Sequence, residues 1–408
     1  MAEPVWIVGV GMTPFGRHTG RGVRDLTAEA VSEALADAGL ERGDIGAAFF
    51  GNTTQGALEG QLMVGGQIAL RAMGFERIPV FNVENACATG ATALHLAVSQ
   101  VRAGAADIAL AVGVEKMNVA DRDRAMAVFE GAYDVSDPDG LSATLTALGG
   151  EVDDTGAGRR SVFMDIYAAM ARAHMNTFGT TQRQIAAVAE KNHRHAMHND
   201  KAHHRTPLTV EEILAARPLA FPLTVPMCAP ITDGAAAVVV CGQRGLRRLA
   251  GAERHVRVLA CVVGTGVERP LEASDRHITR LLAERAYEEA GVGPEDMDVA
   301  ELHDATAFAE IQLTELLGLC EPGAGGEAAE RGVTTLGGRL PVNPSGGLES
   351  KGHPLGATGL AQVYELVQQL RGEGGVRQVD RARIGIAENG GGFYSGEEAV
   401  SAITVVGV

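Results

Sequence analysis

The sequence has few aromatic residues, with 11 Phe, 5 Tyr and 1 Trp among 408 residues, and its 51 acidic side chains outnumber the 35 basic ones. Nucleic-acid binding needs a basic surface or aromatic stacking platforms, so this balance argues against it. No apolar run approaches the roughly 18 residues of a membrane span. The first residues, MAEPVW, lack the basic segment of a secretory signal. We therefore expect a soluble, cytoplasmic protein.

Cysteine is also scarce, and its spacing excludes two kinds of framework. The five cysteines are far apart and form no Cys-x-x-Cys pair, which argues against a disulfide scaffold or a zinc knuckle; they are Cys87, Cys228, Cys241, Cys261 and Cys320. Five histidines between residues 193 and 204 follow no standard zinc spacing, so we predict no metal. Gly9-x-Gly11 lacks the rest of a dinucleotide fingerprint.

One pattern occurs twice in the chain. Residues 34–45 recur as residues 286–297, and each copy reads as a helix closed by a glycine with an apolar strand beyond it. Ala-Thr-Gly at 88–90 recurs at 357–359, and each copy opens a helix of small and apolar residues. Two repeats in the same order predict a duplicated α/β unit.

Predicted strands alternate with helices along the chain, as in doubly wound α/β folds. We predict strands at 5–10, 79–83, 108–112, 236–241, 256–263, 299–302, 383–387 and 399–406. A long irregular stretch with helical pieces interrupts the first half, and an insertion of that size usually carries function. The predicted division is an N-terminal half at 1–117 and 233–250, an inserted loop domain at 118–232, and a C-terminal half at 251–408.

Cys87 follows a short apolar strand and opens a predicted helix. A helix N-terminus lowers the pKa of a thiol and favours the thiolate nucleophile, although a buried, inert cysteine explains the position equally well. His353 lies in a Gly-His-Pro turn and is a candidate general base for a thiol; the alternative is a solvated loop histidine. His303 and Asp304 end a strand, where α/β sheets collect their sites, unless Asp304 merely caps the next helix.

Residues 388–392 read Glu-Asn-Gly-Gly-Gly directly after a predicted strand. Consecutive glycines let backbone N–H groups point at a ligand oxygen, as an oxyanion hole requires. A turn without a ligand explains the glycines equally well.

These motifs together resemble the thiolase superfamily, in particular its sterol-carrier-protein type branch. The resemblance covers nearly the whole chain and rests on the motifs VGVGMT (8–13), NACATG (85–90), GVEKM (113–117), TDGAAA (232–237), ELHD (301–304) and the block from Asn343 to Thr358, which contains SKGHP (350–354). It implies a five-layered αβαβα fold made of two duplicated halves with an inserted loop domain, usually as a homodimer.

The resemblance also implies roles for individual residues. Cys87 would accept an acyl group from a thioester, His353 would activate it, and His303 would help to hold the thioester oxygen. The backbone N–H groups of Cys87 and Gly390 would form a second oxyanion hole. The residues that we expect to bind substrate are Gly390, Asn389 and Ser350. The implied substrate is a thioester of coenzyme A or of an acyl carrier protein, without a tightly bound cofactor.

The chain departs from the family pattern at one important point. The branch typically has His-Asp-Cys-Phe where this chain has Ala305 and Thr306 after His303 and Asp304. Other thiolases place a cysteine in a Cys-x-Gly-Gly-Gly turn, where this chain has Glu388. The thiol that moves a proton at the substrate α-carbon is therefore missing from both positions, and Cys320 is too remote in the sequence to replace it.

Three functions remain open from the sequence. The leading hypothesis is an acyltransferase that loads Cys87 and delivers the acyl group to an acceptor nucleophile. The alternative is a carbon–carbon condensing or cleaving thiolase with Glu388 as base, which needs burial to raise a pKa of about 4.3. The third is a non-catalytic acyl-binding or scaffold subunit with a small OB-fold partner. Retention of both Cys87 and His353 weighs against the third.

Overall fold

The computed structural model describes residues 3–149, 160–249 and 254–408. Within these residues the chain forms an α/β structure with one large mixed sheet. The strands are β1 (Val5–Met12), β2 (Ala47–Gly51), β3 (Val80–Val83), β4 (Ile108–Glu115), β5 (Pro218–Ala220), β6 (Leu223–Thr224), β7 (Gly234–Cys241), β8 (Val256–Gly264), β9 (Val299–Glu301), β10 (Ile384–Gly391) and β11 (Val400–Gly407).

The helices lie on the faces of this sheet and in the inserted stretch. They are α1 (Val23–Ala38), α2 (Gln55–Glu59), α3 (Gly65–Ala72), α4 (Thr89–Arg102), α5 (Arg122–Ala127), α6 (Pro138–Gly149), α7 (Val162–Phe178), α8 (Gln182–Ala196), α9 (Val210–Ala215), α10 (Gln243–Leu246), α11 (Ile278–Ala290), α12 (Ala307–Leu316), α13 (Gly325–Glu330), α14 (Gly347–Lys351) and α15 (Thr358–Leu370). Within the described residues, no helix has the length and apolar character that crossing a membrane requires.

The sheet topology confirms the predicted duplication. The strand order is β3-β2-β4-β7-β1-β8-β11-β10-β9, and β1 pairs with β8 where the halves meet. Outward from that junction, each half repeats two antiparallel pairings and then a parallel one: β1·β7, β7·β4 and β4·β2 correspond to β8·β11, β11·β10 and β10·β9. A lone parallel bridge between Ala300 and Val342 takes the place of β3 in the second half.

Alternating side chains along the strands explain the five layers. In β7, Ala236, Val238 and Val240 face a central core that also contains α4 and α15, whereas Ala235, Ala237, Val239 and Cys241 face an outer core with α1. A third core packs α11 against β8, β10 and β11. The order of layers is therefore α1, the first half-sheet, α4 with α15, the second half-sheet and α11, as the sequence predicted.

Glycines end the repeated helices and permit the close contact between the halves. Gly39 after α1 and Gly291 after α11 have φ values of 64° and 72°, the left-handed conformation in which glycine carries no Cβ penalty. A Cβ on Gly113 of β4 would lie 1.9 Å from the carbonyl oxygen of Gly356. The first half-sheet can therefore touch the turn before α15 only because residue 113 has no side chain.

The predicted strands are confirmed with small shifts at their ends, and one shift matters for function. The sequence placed the glycines 390–392 in a turn after a strand ending at 387, whereas β10 continues to Gly391. Its last residues pair with β11, with Gly390 opposite Ser401 and Gly391 opposite Val400, so these two glycines belong to the sheet and not to a turn. Only Gly392, with φ of 65°, begins the turn.

The inserted stretch covers the end of the second half. Its helix α7 contributes Ile166, Tyr167 and Met170 to a buried cluster with Ala305 and Phe308, at the start of α12. The two ends of the insertion meet at Asp233, whose Oδ1 accepts hydrogen bonds from the amides of residues 117 and 118 at 2.8 and 2.7 Å. The division at 117/118 and 232/233 stays a prediction, and the predicted boundary between residues 250 and 251 lies outside the described residues.

Candidate active site

A cavity of about 420 Å³ opens beneath the inserted stretch, and three sequence-predicted residues meet on its wall. Cys87, His303 and His353 all line it, and the cysteine sulfur and one nitrogen of each imidazole lie within 4.8 Å of one another. Each half of the fold contributes, because Cys87 precedes α4 of the first half and both histidines belong to the second. The duplication therefore creates the site at the junction of its two copies.

Cys87 lies in the short 3₁₀ turn Ala86–Ala88, one step before α4 begins at Thr89. The backbone N–H of Gly392 donates a hydrogen bond to its sulfur, which lowers the thiol pKa. Burial acts more strongly in the opposite direction, and with the nearby Glu115 carboxyl it raises the pKa to about 12. The expectation of a lowered thiol pKa is wrong for this arrangement, because desolvation outweighs the helix start. Cys87 is a thiol at rest and needs a base.

His353 is arranged to be that base. Its Nδ1 lies 2.7 Å from Oγ1 of Thr358, and the Thr358 hydroxyl donates to the carbonyl oxygen of Pro354 at 3.1 Å. Because the hydroxyl has one proton and donates it to Pro354, Nδ1 of His353 must carry a hydrogen and donate to Thr358. Nε2 is then an unprotonated acceptor. Burial, with His303 and Lys351 nearby, lowers the His353 pKa well below its ordinary value, so the ring is neutral.

His303 follows β9, and its Nε2 lies 3.3 Å from Nε2 of His353. Since Nε2 of His353 is an acceptor, Nε2 of His303 is the donor of this pair. Burial lowers the His303 pKa to about 4, so this ring is also neutral. At rest its N–H faces Nε2 of His353, and it becomes available to a substrate oxygen once that nitrogen takes up a proton.

Buried polar contacts fix the segments that carry the two histidines. Asp304 accepts a hydrogen bond from the Leu348 amide at 2.9 Å and one from the Asn192 side chain at 3.0 Å. Asp304 therefore ties the His303 loop to α14 and does not cap α12. Lys351 donates to Glu301 at 3.0 Å in an ion pair with both side chains buried, which joins β9 to the residues before His353.

The other predicted site residues do not line this cavity. Glu388 is buried, accepts a hydrogen bond from the Ser401 hydroxyl at 3.0 Å and is bound by the His303 amide. Burial, with the neighbouring Glu398 carboxyl, raises its pKa to about 8. The structure thus brings Glu388 to the backbone of His303 and not to the sulfur of Cys87.

The three predicted substrate-binding residues lie outside the cavity wall as well. Gly390 is covered by the Glu398 side chain, and the Asn389 side chain packs against Gly359. Ser350 is fully buried, and its carbonyl oxygen accepts a hydrogen bond from the backbone N–H of His204 at 2.8 Å. The glycines that do line the cavity are Gly391 and Gly392.

Several polar residues on the cavity wall were missed by sequence reasoning, among them Tyr167, Arg217, Glu349 and Glu398. Glu349 belongs to a buried cluster with Asp304 and Glu310, which the Asn192 amide joins. Burial raises the pKa of Glu349 and that of Glu398 to about 7. Glu349 lies inside the motif block from Asn343 to Thr358 but is not singled out by it. Nothing marked Glu398, because an acidic pair such as Glu397-Glu398 after a glycine turn is ordinary on a solvated loop.

The histidines of the inserted stretch make separate structural contacts. His195 lies 3.0 Å from the Asn343 carbonyl oxygen and accepts from the Leu336 amide, and His193 lies 3.1 Å from the Pro226 carbonyl oxygen. Among the described residues, Cys87, His303 and His353 are the one group of Cys, His, Asp or Glu side chains close enough to share a metal ion. The same geometry suits a thiol nucleophile with its base.

The sequence and the structure both match known proteins over most of their length. A thiolase N-terminal domain model matches residues 5–212, and a thiolase C-terminal domain-like model matches residues 275–404. An acetyl-CoA acetyltransferase from Methanothermobacter thermautotrophicus is 39% identical, with 95% of this chain and 96% of the relative covered. Sterol carrier protein 2 from Oryctolagus cuniculus is 34% identical over 94% of this chain and 69% of that protein.

The fold has a solved counterpart. The structure titled "Ltp2-ChsH2(DUF35) aldolase" aligns with a TM-score of 0.78 and 24% identity, over 99% of this chain and 98% of that one. At this identity the match supports the fold alone. With the two family models and the relatives above, the chain is an enzyme of the thiolase superfamily and belongs to its sterol-carrier-protein type branch.

Proposed function

We propose that the protein is an acyltransferase that takes an acyl group from a coenzyme A thioester onto Cys87 and passes it to an acceptor nucleophile. The observation that carries the proposal is the convergence of a thiol and two neutral imidazoles within 4.8 Å on the wall of one cavity. A nucleophile within reach of a base, with a donor for the developing oxyanion, is the arrangement that acyl transfer needs.

The proposed acylation step follows from the tautomers of His353 and His303, in which Nε2 of His353 accepts a proton and Nε2 of His303 carries one. Nε2 of His353 removes the proton from the Cys87 thiol as the sulfur attacks the thioester carbonyl carbon. The carbonyl oxygen gains negative charge and accepts a hydrogen bond from Nε2–H of His303. The intermediate collapses, the carbon–sulfur bond of the donor breaks, and the leaving thiolate takes the proton back from His353. Because the resting thiol pKa is about 12, deprotonation and attack are coupled.

Basic side chains on the cavity wall support a phosphorylated donor. Arg160 and Arg217, both in the inserted stretch, line the cavity together with His204. Coenzyme A and the phosphopantetheine of a carrier protein both carry phosphate, which arginine binds with strong charge-assisted hydrogen bonds. We favour coenzyme A because the 39% identical relative is named an acetyl-CoA acetyltransferase.

The test is the mass of the intact protein after incubation with acetyl-, propionyl- and octanoyl-CoA. We expect an acyl adduct that is absent in Cys87→Ala, and His353→Ala should slow its formation about 100-fold or more, since general-base effects begin at about that size. Cys228→Ala is the matched control, because Cys228 lines the same cavity and burial raises its pKa even further. An adduct that persists in Cys87→Ala, or one that requires Cys228, contradicts the proposal.

A second candidate is carbon–carbon condensation or cleavage. The observation that favours it is the group of buried carboxyls with raised pKa values beside the site, namely Glu388 at about 8 and Glu398 at about 7. A carboxyl tuned to this range can exchange protons near neutral pH. Efficient cleavage of acetoacetyl-CoA by the unmodified protein would support this candidate. If acetoacetyl-CoA is not cleaved, the acceptor of the acyl group from Cys87 is a hydroxyl or an amine.

We also propose that two copies of the chain associate through the edge formed by β3. This strand has a neighbour, β2, on one side only. The exposed apolar side chains beside it are Leu62, Met63, Val64 and Phe81. A two-fold related copy would pair its own β3 with this one and cover the apolar side chains, which removes an unprotected sheet edge.

Two further proposals concern the surroundings of the enzyme. The aldolase with the similar fold is titled as a complex with a DUF35 protein, so a small OB-fold subunit is a candidate partner here.

All five cysteines are free. Free thiols are typical of a reducing compartment, which supports a cytoplasmic location.

A further inference from the structure

The hairpin between β10 and β11 carries two adjacent acids that have different surroundings. Glu397 forms a buried ion pair with Arg269 at 2.8 Å and accepts a hydrogen bond from the amide of Ile278, the first residue of α11, at 2.9 Å. These contacts anchor the hairpin to the second half of the fold. Glu398 has no such ion pair, and its side chain lies on the wall of the cavity that contains Cys87.

The Glu398 carboxyl is held in place by packing, and no Lys or Arg side chain among the described residues forms an ion pair with it. Its side chain is 11% exposed and packs so closely over Gly390 that a Cβ there would lie 2.6 Å from its Cγ. Its Oε2 has no hydrogen-bond partner from another described residue, and Nε2 of His277 lies 3.5 Å away. Because Nδ1 of His277 accepts from the Thr279 amide, Nε2 carries the hydrogen and faces the carboxyl.

This environment is unusual for a carboxyl with a structural role. Buried carboxylates normally have their oxygens occupied, as in Glu115, which accepts hydrogen bonds from Thr54 and from the Gly356 amide. Glu349 on the same cavity wall also has one oxygen, Oε1, without a hydrogen-bond partner among the described residues, but its Oε2 is bound by Asn192 within its cluster. Glu398 instead faces the cavity, and its side chain lines the same wall as Cys87 and Tyr167. Burial is the main cause that raises the pKa of the Tyr167 phenol, and the Glu398 carboxyl adds to it.

We propose that Glu398 is a catalytic residue that moves the proton at the α-carbon of the acceptor thioester, the task for which neither usual cysteine is present. The inference rests on the proposed acyl transfer through Cys87 and makes the acceptor a carbon atom. In condensation, the Glu398 carboxylate takes the α-proton and the carbon–hydrogen electron pair forms an enolate. The enolate carbon attacks the acyl group on Cys87, a carbon–carbon bond forms, and the carbon–sulfur bond breaks to release the Cys87 thiolate. Glu398 gives up the proton that it took and the thiolate takes up one proton, so both groups return to their starting states.

The charges around Glu398 suit this role near neutral pH. Burial, reinforced by Glu397 and opposed by Arg269, raises its pKa to about 7. The other titratable groups that face it are Glu388, Tyr167 and His277. A base with a pKa near the working pH has a large deprotonated fraction and still binds the proton it removes.

The test measures deuterium exchange at the α-carbon of acetyl-CoA and propionyl-CoA in heavy water, beside acylation of Cys87 on the same samples. We expect Glu398→Gln to slow exchange about 100-fold or more, within the usual range of general-base effects, and to slow acylation by no more than a few-fold. Retained acylation shows that the variant is folded and that the thiol and its base are intact. Glu398→Asp should restore part of the exchange.

Several outcomes overturn the proposal. Exchange at the unmodified rate in Glu398→Gln excludes the role, and so does acylation of the unmodified protein without any exchange. Loss of exchange in Glu388→Gln or Glu349→Gln, with exchange retained in Glu398→Gln, assigns the proton to another carboxyl. Absence of acylation in the unmodified protein is a different result, because it removes the proposed function itself.

Discussion

Nε2 of His303 lies 3.3 Å from Nε2 of His353, although 50 residues separate the two along the chain. Two neutral imidazoles at this distance must divide their roles, one as donor and the other as acceptor. The Thr358 hydroxyl decides the division, because its only proton goes to Pro354. In the proposed acylation His353 is thereby the base and His303 the donor to a substrate oxygen, and one threonine sets both assignments.

The first prediction concerns this threonine. Thr358→Val keeps the shape of the side chain but removes the acceptor for Nδ1–H of His353, so both tautomers of the ring become accessible. We expect acylation of Cys87 to slow about tenfold, with an altered pH profile and little change in KM for the thioester. Rapid-quench mass spectrometry across pH 6–9 measures this.

Thr358→Ser is the control for Thr358→Val, because serine retains the hydroxyl that binds Nδ1 and donates to Pro354. It should return the acylation rate to within a few-fold of the unmodified protein. If valine and serine slow the reaction equally, Thr358 only packs and does not set the tautomer.

The second prediction is that stability falls as pH rises from 7 to 8. The pKa of Glu388 is raised to about 8 and those of Glu349 and Glu398 to about 7, so the folded chain binds protons that the unfolded chain releases. Histidines with lowered pKa values, such as His303 and His277, act in the opposite direction, because an unfolded histidine is half protonated at about pH 6.5; this offset fades as the pH rises from 7 to 8.

Calorimetry at several pH values in this window should show a falling Tm. Each pH unit costs about 1.4 kcal/mol for a group protonated only in the folded state, so Glu388 alone contributes about 1 kcal/mol. Glu388→Gln should flatten the dependence, and Glu211→Gln, at a fully exposed carboxyl, should not. A Tm that rises over the same window would contradict the buried neutral carboxyls.

The third prediction tests the dimer at the β3 edge. Met63 is 75% exposed, so Met63→Asp should leave the fold intact while placing a charge in the proposed contact. Sedimentation should show a dimer for the unmodified chain and a 42.4 kDa monomer for the variant. Val376→Asp is the matched control, because Val376 is 77% exposed on another surface. A monomeric unmodified protein at micromolar concentration contradicts the contact.

The fourth prediction is that a cysteine introduced at residue 305 partly restores α-proton exchange. Ala305 lines the cavity where the family branch typically has cysteine. In the Glu398→Gln background, Ala305→Cys should raise α-proton exchange measurably above that of Glu398→Gln alone, because it supplies an acid/base group at the usual position. No gain from the introduced thiol would mean that residue 305 is too far from the substrate.

Glu388→Gln alone should leave Cys87 acylation nearly unchanged, since glutamine still accepts from the His303 amide.

The sequence was sufficient for the fold because the fold depends on local signals that are repeated. Gly39 and Gly291 each end a helix in the left-handed conformation. Helices and strands alternate along the chain on both sides of these glycines, and each has a local sequence pattern. The Cys87 and His353 motifs are likewise local, since each lies in a short segment with its own turn residues. Their meeting was expected from the family resemblance and not from their spacing.

What the sequence could not decide is where the acidic side chains point and how strongly each group is desolvated. A helix start predicted a lowered pKa for Cys87, but the pKa depends on the burial that the inserted stretch and the second half impose together. The motif position favoured Glu388, yet pairing with β11 directs its side chain to Ser401, while the hairpin anchored by Arg269 presents Glu398 to the cavity. Local sequence determined the elements and the nucleophile, whereas long-range packing decided solvation and side-chain direction, and with them the choice of base.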